Sequence, residues 1–210
     1  NANEIIGSGK LGYKRTDIAR PGLVGGPCLH KDPYIFSESL KKFNIKPEIT
    51  LTARKINERQ PTEIVNFVYN FINKNKLPKN KIKIGLLGVA FKGYPLTDDL
   101  RGSMAIKLAN KLKTKFKNSK VFAFDPVVDK EKIASEKIIP ETNINKIFTN
   151  ANIIIISNDN KYFSKLDLNK LSLKMKSESI IYDVWNLYKK ENLKLRKNIN
   201  YYSLGNQRSK

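Results

Sequence analysis

Ile82-Lys83-Ile84-Gly85-Leu86-Leu87-Gly88-Val89-Ala90-Phe91 is the stretch that decides the fold. A short, nearly continuous apolar run closed by a glycine turn reads as a strand buried on both faces, the kind that builds parallel sheets. Similar runs follow at Val121-Phe122-Ala123-Phe124-Asp125-Pro126, at Ile153 to Ser157, and at Ile180 to Trp185. Tyr201 to Leu204 is a candidate fifth strand. Between them, Ser103 to Lys117 has the pattern of an amphipathic helix, and residues 143–150 and 166–175 read as shorter helices. Strands alternating with helices imply right-handed crossovers and a parallel sheet. Ligands of such sheets bind at the carboxyl ends of the strands, where Asp125-Pro126 and Asp183-Val184-Trp185-Asn186 are expected. Gly85 and Gly88 do not have the GxGxxG spacing, so the dinucleotide fingerprint is absent.

Upstream, Lys74 to Lys81 is a polar linker containing Pro78, and the domain boundary is placed there: residues 1–78, then 79–210. Residues 34–76 read as helical. Tyr34, Ile35, Phe36 and Leu40 line a first helix that ends near Asn44. Pro47-Glu48 is a helix start, with proline in the first turn and an acid beside it. Ile49, Ala53 and Ile56, then Ile64, Val65, Val68, Phe71 and Ile72, recur at helical spacing, with a kink or restart expected at Pro61. Lys10 to Asp17 reads as a loop after a short helix. The opening Asn1 to Gly7 has neither signal-peptide form nor an initiator methionine.

Arg20-Pro21-Gly22-Leu23-Val24-Gly25-Gly26-Pro27-Cys28-Leu29-His30-Lys31-Asp32-Pro33 holds the only cysteine and the only histidine. Gly25 and Gly26 permit a sharp turn and a close approach of backbone to a ligand. Two readings of Cys28 stand on local features: a thiolate activated by the nearby cation, or a small buried hydrophobe in a tight turn. One cysteine excludes an internal disulfide and points to a reducing, cytoplasmic setting. No run of 18 apolar residues occurs, so no membrane span is expected. Forty Lys and Arg against nineteen Asp and Glu give a formal charge of +21. The lysines are scattered among asparagines and isoleucines, with no nucleic-acid motif and no aromatic-lined basic stripe. General attraction for anions, including nucleotide phosphates, is therefore expected rather than specific nucleic-acid binding.

The cysteine segment, Pro-Gly-x-x-Gly-Gly-x-Cys-x-x-Lys-Asp-Pro, resembles the nucleophile loop of the UDP-sugar 6-dehydrogenases, the family of UDP-glucose and UDP-N-acetylhexosamine dehydrogenases. A second resemblance lies at Phe91-Lys92…Thr97-Asp98-Asp99-Leu100-Arg101-Gly102-Ser103, similar to the loop joining the first strand of that family's UDP-binding domain to its helix. A lysine at a strand end and a loop leading into a helix N-terminus suit an anion. The resemblance implies an α/β protein: a central helical segment that forms a homodimer, then a Rossmann-like parallel-sheet domain that binds a UDP-sugar. It implies an NAD-dependent, four-electron oxidation of a C6 alcohol to the uronic acid through a thiohemiacetal and a thioester on Cys28, serving surface polysaccharide synthesis. Asp32 would orient or deprotonate water. Arg15, Pro21, Gly25, Phe91 and Lys92 would contact the substrate, Arg15 that of the neighbouring subunit. Lys31 and Arg101 would contact the cofactor, with no metal. Asp98 and Asp99 would cap the helix and hold Arg101, and His30 is a non-catalytic neighbour. The length of the Lys92-to-Arg101 loop and the Asp183 to Asn186 run resemble the UDP-N-acetylhexosamine branch. The family's NAD-binding domain and the helix carrying its lysine and asparagine have no counterpart here, so this chain alone is not expected to turn over. A UDP-sugar-binding module without oxidation is the alternative.

Overall fold

The computed structural model describes residues 2–12, 18–77 and 82–206. A short helix, α1 (Ala2–Lys10), precedes α2 (Pro27–Leu40), a single 3-10 turn at Lys41–Phe43, and the long α3 (Glu48–Lys74). Six strands follow: β1 (Lys83–Leu87), β2 (Lys120–Phe124), β3 (Ile139–Pro140), β4 (Ile153–Ile156), β5 (Ser179–Asp183) and β6 (Ile199–Ser203). The intervening helices are α4 (Met104–Lys115), α5 (Lys130–Ser135), α6 (Ile144–Phe148), α7 (Lys161–Ser164) and α8 (Leu168–Ser172).

All strand pairings are parallel, in the order β3-β2-β1-β4-β5-β6. This is the doubly wound Rossmann order, whose direction reverses between β1 and β4. Side chains alternate between two cores, as a pleated strand requires. Ile84, Leu86, Ile153, Ile155, Ile180 and Tyr182 face the core shared with α3 and α4. Leu87, Ile154, Ile156 and Ile181 face the core covered by α6, α7 and α8. Burial on both faces is why these strands read as apolar runs without alternation. β3 was not anticipated. It is two residues long, at the sheet edge, and contains Pro140, which cannot donate to a ladder.

α3 runs unbroken for 27 residues, about 40 Å, so the expected restart at Pro61 does not occur. An interior proline costs about 3 kcal/mol. Burial of Ile64, Val65, Val68, Phe71 and Ile72, at roughly 1.5–3 kcal/mol each, outweighs it. The second half of α3 thus belongs to the core of the sheet domain. Its first half projects beyond and carries α2 at its side.

Candidate functional site

The carboxyl edge of the sheet divides into a closed turn and an open rim. At the turn after β1, Gly88 takes a positive φ of 92° and donates its N–H to the Phe124 carbonyl at 2.9 Å. The Val89 and Ala90 amides donate to Asp125 Oδ2 at 2.8 and 3.1 Å. Asp125 Oδ1 accepts from the Val127 and Val128 amides at 3.0 and 3.3 Å. In a dinucleotide-binding sheet the amides after the first strand face a pyrophosphate. Here an internal carboxylate occupies them. Asp125, expected at the ligand-facing edge, is instead a latch between two strand ends.

A second carboxylate closes the turn after β5. Asp183 is fully buried and accepts from the Trp185 and Leu187 amides at 3.0 and 2.6 Å and from the Tyr201 hydroxyl at 2.7 Å. Burial nonetheless outweighs these bonds and pushes its carboxyl up to about 6. The turn it holds presents Trp185, whose indole N–H donates to the Ser157 carbonyl at 3.1 Å.

The rim is built from residues 91–103. Gly93 interlocks with the loop after β4: its N–H donates to Asp159 Oδ1 at 2.8 Å, and an added Cβ would stand 2.0 Å from the Asn160 nitrogen. Ser103, not Asp98 or Asp99, caps α4, accepting from the Ile106 amide while donating to the Val89 carbonyl at 2.7 Å. Asp99 holds Arg101, as expected, through the guanidinium and the Arg101 amide. Those hydrogen bonds keep its carboxyl below the usual range. Asp98 pairs with Lys132. Lys92 is half-buried, its ammonium 5.3 Å from the Phe91 ring centroid. Among the described residues no carboxylate pairs with it.

The glycine segment lies across this rim. Gly22 packs against the Trp185 ring, where a Cβ would stand 2.4 Å from ring carbons. Gly26, at φ 109°, leaves room for the Phe91 ring and donates to the Gly102 carbonyl at 3.1 Å. A Cβ on Gly25 would meet the same carbonyl at 2.6 Å. Pro21 is half-buried beside Gly22, and Leu23 is anchored in the core. The segment enters α2 directly, with Pro27 in its first turn, so Cys28 sits on a helix start rather than in a loop.

Cys28 is exposed, which removes the buried-hydrophobe reading. Lys31 and Asp32, three and four residues on, share its side of the helix and pair with each other. The Lys31 ammonium is raised first by its hydrogen bond to Asp32 and slightly by Cys28. Arg101 is raised first by Asp99 and slightly by Cys28, so both cations lie within electrostatic reach of the sulfur. An open groove of about 840 Å³ runs beside them, lined in part by His30, Thr97, Arg101 and Lys107.

The structure therefore docks the segment carrying Pro21, Gly25 and Cys28 on the rim that carries Phe91 and Arg101, with Lys31 and Asp32 one turn along α2 and Lys92 against the Phe91 ring. Arg15 lies outside the described residues. The sequence reading missed Asp125 as a latch, Trp185 as a platform for Gly22, and Asn57, whose amide grips Val24. Their signals are short polar residues at strand ends and a polar residue on an apolar helix stripe.

Comparison with known proteins gives a consistent result. The family model described as "UDP-glucose/GDP-mannose dehydrogenase family, UDP binding domain" matches residues 85–190. The chain is 30% identical over 172 residues to the UDP-N-acetyl-D-mannosamine dehydrogenase of Pyrococcus horikoshii, covering 80% of this chain and 37% of that protein. It is 27% identical to the UDP-glucose 6-dehydrogenase of Rickettsia prowazekii, covering 90% of this chain and 42% of the other. A solved structure of the UDP-D-ManNAc dehydrogenase from Pyrococcus horikoshii superposes with a TM-score of 0.74 at 26% identity, over 96% of this chain and 43% of that one. The chain thus spans about two fifths of the length of the relatives it matches.

Proposed function

Because the chain belongs to the UDP-glucose/GDP-mannose dehydrogenase family and carries its UDP binding domain, we propose that it is the substrate-binding and thiol-bearing part of an NAD-dependent UDP-sugar 6-dehydrogenase. The supporting observation is the docking of Gly22 to Gly26 on the Phe91–Gly102 rim, which leaves Cys28 exposed within electrostatic reach of Arg101.

In this reading Lys92 and the α4 N-terminus attract the diphosphate. Pro21, Gly25 and Phe91 shape the nucleotide-sugar contact, and Arg15 adds a cation from a neighbouring copy. Cys28 Sγ, as thiolate, adds to C6 of the UDP-sugar aldehyde, and the new alkoxide takes a proton to give a thiohemiacetal. Oxidation of that adduct to a thioester, which gives up a hydride and the hydroxyl proton, would require a nicotinamide acceptor held outside these residues; water would then cleave the thioester to the uronate with return of the thiol. Asp32 is placed one helical turn from Cys28 to orient that water once it parts from Lys31. Lys31 and Arg101 face the cofactor side.

NAD does not fit the parallel sheet of this chain. The amides that would receive its pyrophosphate are held by Asp125, and the glycine fingerprint is missing. NAD would supply hydride acceptance from outside these residues. Binding without oxidation is accordingly what residues 1–210 alone should show. Exposed Ile35, Phe36, Phe43, Ile45 and Ile49 on and between α2 and α3 suit a homodimer through the central helix. The UDP-N-acetylhexosamines are the preferred substrates, and the UDP-uronate product suits polysaccharide assembly. A cytoplasmic setting accords with this. Among the described residues no helix is long and apolar enough to cross a membrane.

The test is incubation of the chain with a UDP-sugar 6-aldehyde, then native mass spectrometry without a reductant, beside the Cys28→Ala variant. An adduct confined to Cys28 and suppressed by UDP is expected. Absence of the adduct despite UDP binding leaves only the non-oxidising module.

A further inference from the structure

We propose that Asn57 is the positioning residue for Cys28, a role that deepens the proposed function and rests on it only for its chemical consequence. The buried stripe of α3 at 61, 64, 65 and 68 continues backwards, at helical spacing, to 57. Periodicity assigns this position to the inner face, yet it carries an amide. That amide reads a single residue 33 positions away: Asn57 Nδ2 donates to the Val24 carbonyl at 2.6 Å, and the Val24 amide donates to Asn57 Oδ1 at 3.2 Å. One donor and one acceptor in this spacing are what a neighbouring strand would offer, and among the described residues the segment around Val24 pairs with no strand. Among side chains, only Asn and Gln carry an N–H donor beside a carbonyl acceptor, the pair a backbone presents.

Val24 is four residues before Cys28. The next residue on α3, Glu58, accepts from the Tyr34 hydroxyl at 2.9 Å and from Arg54 Nε at 2.8 Å, fixing the body of α2 to the same turn. Consecutive residues of one rod, rooted in the sheet core, therefore hold the start and the middle of the thiol-bearing helix. Gly26 and Gly102 are then brought into hydrogen-bond register.

Three variants test this in the chain itself. Asn57→Asp keeps the acceptor but sets an oxygen against the Val24 carbonyl, Asn57→Ala removes both groups, and Asn57→Gln keeps both. Amide hydrogen exchange at Gly26 reads the register whether or not sugar chemistry occurs. Tenfold or greater loss of Gly26 protection is expected in Asp and Ala, with partial rescue in Gln, while exchange in β1 and β4 and the affinity for UDP change less than twofold. The rate of aldehyde adduct formation at Cys28 should fall at least tenfold in the same two variants, with iodoacetamide alkylation of the thiol nearly unchanged. Unchanged Gly26 protection in Asp and Ala overturns the proposal, as does loss of protection spread evenly over β1 and β4. If wild type forms no adduct, the proposed function falls while the exchange result still decides the role of Asn57.

Discussion

Two places on the same sheet edge treat negative charge in opposite ways. After β1, the amides of Val89 and Ala90 are already engaged by the Asp125 carboxylate, and the turn after β5 is engaged by Asp183. Along residues 91–103 the carboxylates Asp98 and Asp99 are spent on Lys132 and Arg101, while Lys92 has no carboxylate partner among the described residues. In the proposed reading, an anion approaching this edge is refused by the turns and received at the rim. Topology says where a ligand can bind; the distribution of carboxylates decides where it does.

Breaking the rim should have the largest effect. Cys28→Ala is expected to abolish the aldehyde adduct seen by native mass spectrometry while leaving UDP binding, measured by calorimetry, within twofold. An adduct that persists elsewhere would remove the thiol from the mechanism. Opening the closed turn comes next. Asp125→Ala strips the partners from four backbone amides. At about 1–3 kcal/mol for each unsatisfied group, partly relieved by water, a loss of roughly 3–5 kcal/mol in urea unfolding is expected. Phosphate should then raise the melting temperature of the variant more than that of wild type.

Asp183 sharpens the contrast through pH. Its folded value, about 6, lies above the unfolded 3.8, so the folded state binds the extra proton between them. Its contribution is therefore fully present below about pH 4 and is lost as pH rises through 6, on the order of 3 kcal/mol in all. Asp183→Asn should flatten unfolding free energy across that window; an unchanged slope would show the carboxyl to be ionised throughout. The smallest effect is expected from Lys92→Ala, which removes one charge-assisted contact, about 1.5–3 kcal/mol, and so weakens UDP binding roughly ten- to hundredfold.

Much of this molecule was legible in its residues. β1, β4 and β5 announced themselves because each is buried on both faces, and the Lys92–Arg101 rim because a cation follows a strand. The continuity of α3 through Pro61 was hidden: the local penalty of proline is visible in sequence, and the tertiary burial that outweighs it is not. Cys28 was read in a turn because glycines precede it, but Pro27 is a good first-turn residue, and the helix starts there. Asp99's grip on Arg101 followed from proximity along the chain, whereas Asp98 found Lys132, 34 residues away. Asn57 and Val24 are likewise partners only in space. Lysine abundance also concealed structural tasks: Lys83 and Lys113 bond carbonyls at the ends of α6 and α5.

The Asp125 latch has one more consequence. A carboxylate tethered to the adjoining strand competes for the β1-turn amides continuously, whereas a dissolved dinucleotide competes only in proportion to its concentration. The sheet thereby keeps the wiring of a dinucleotide reader with its input permanently plugged, and a solution rich in NAD has no purchase on that turn.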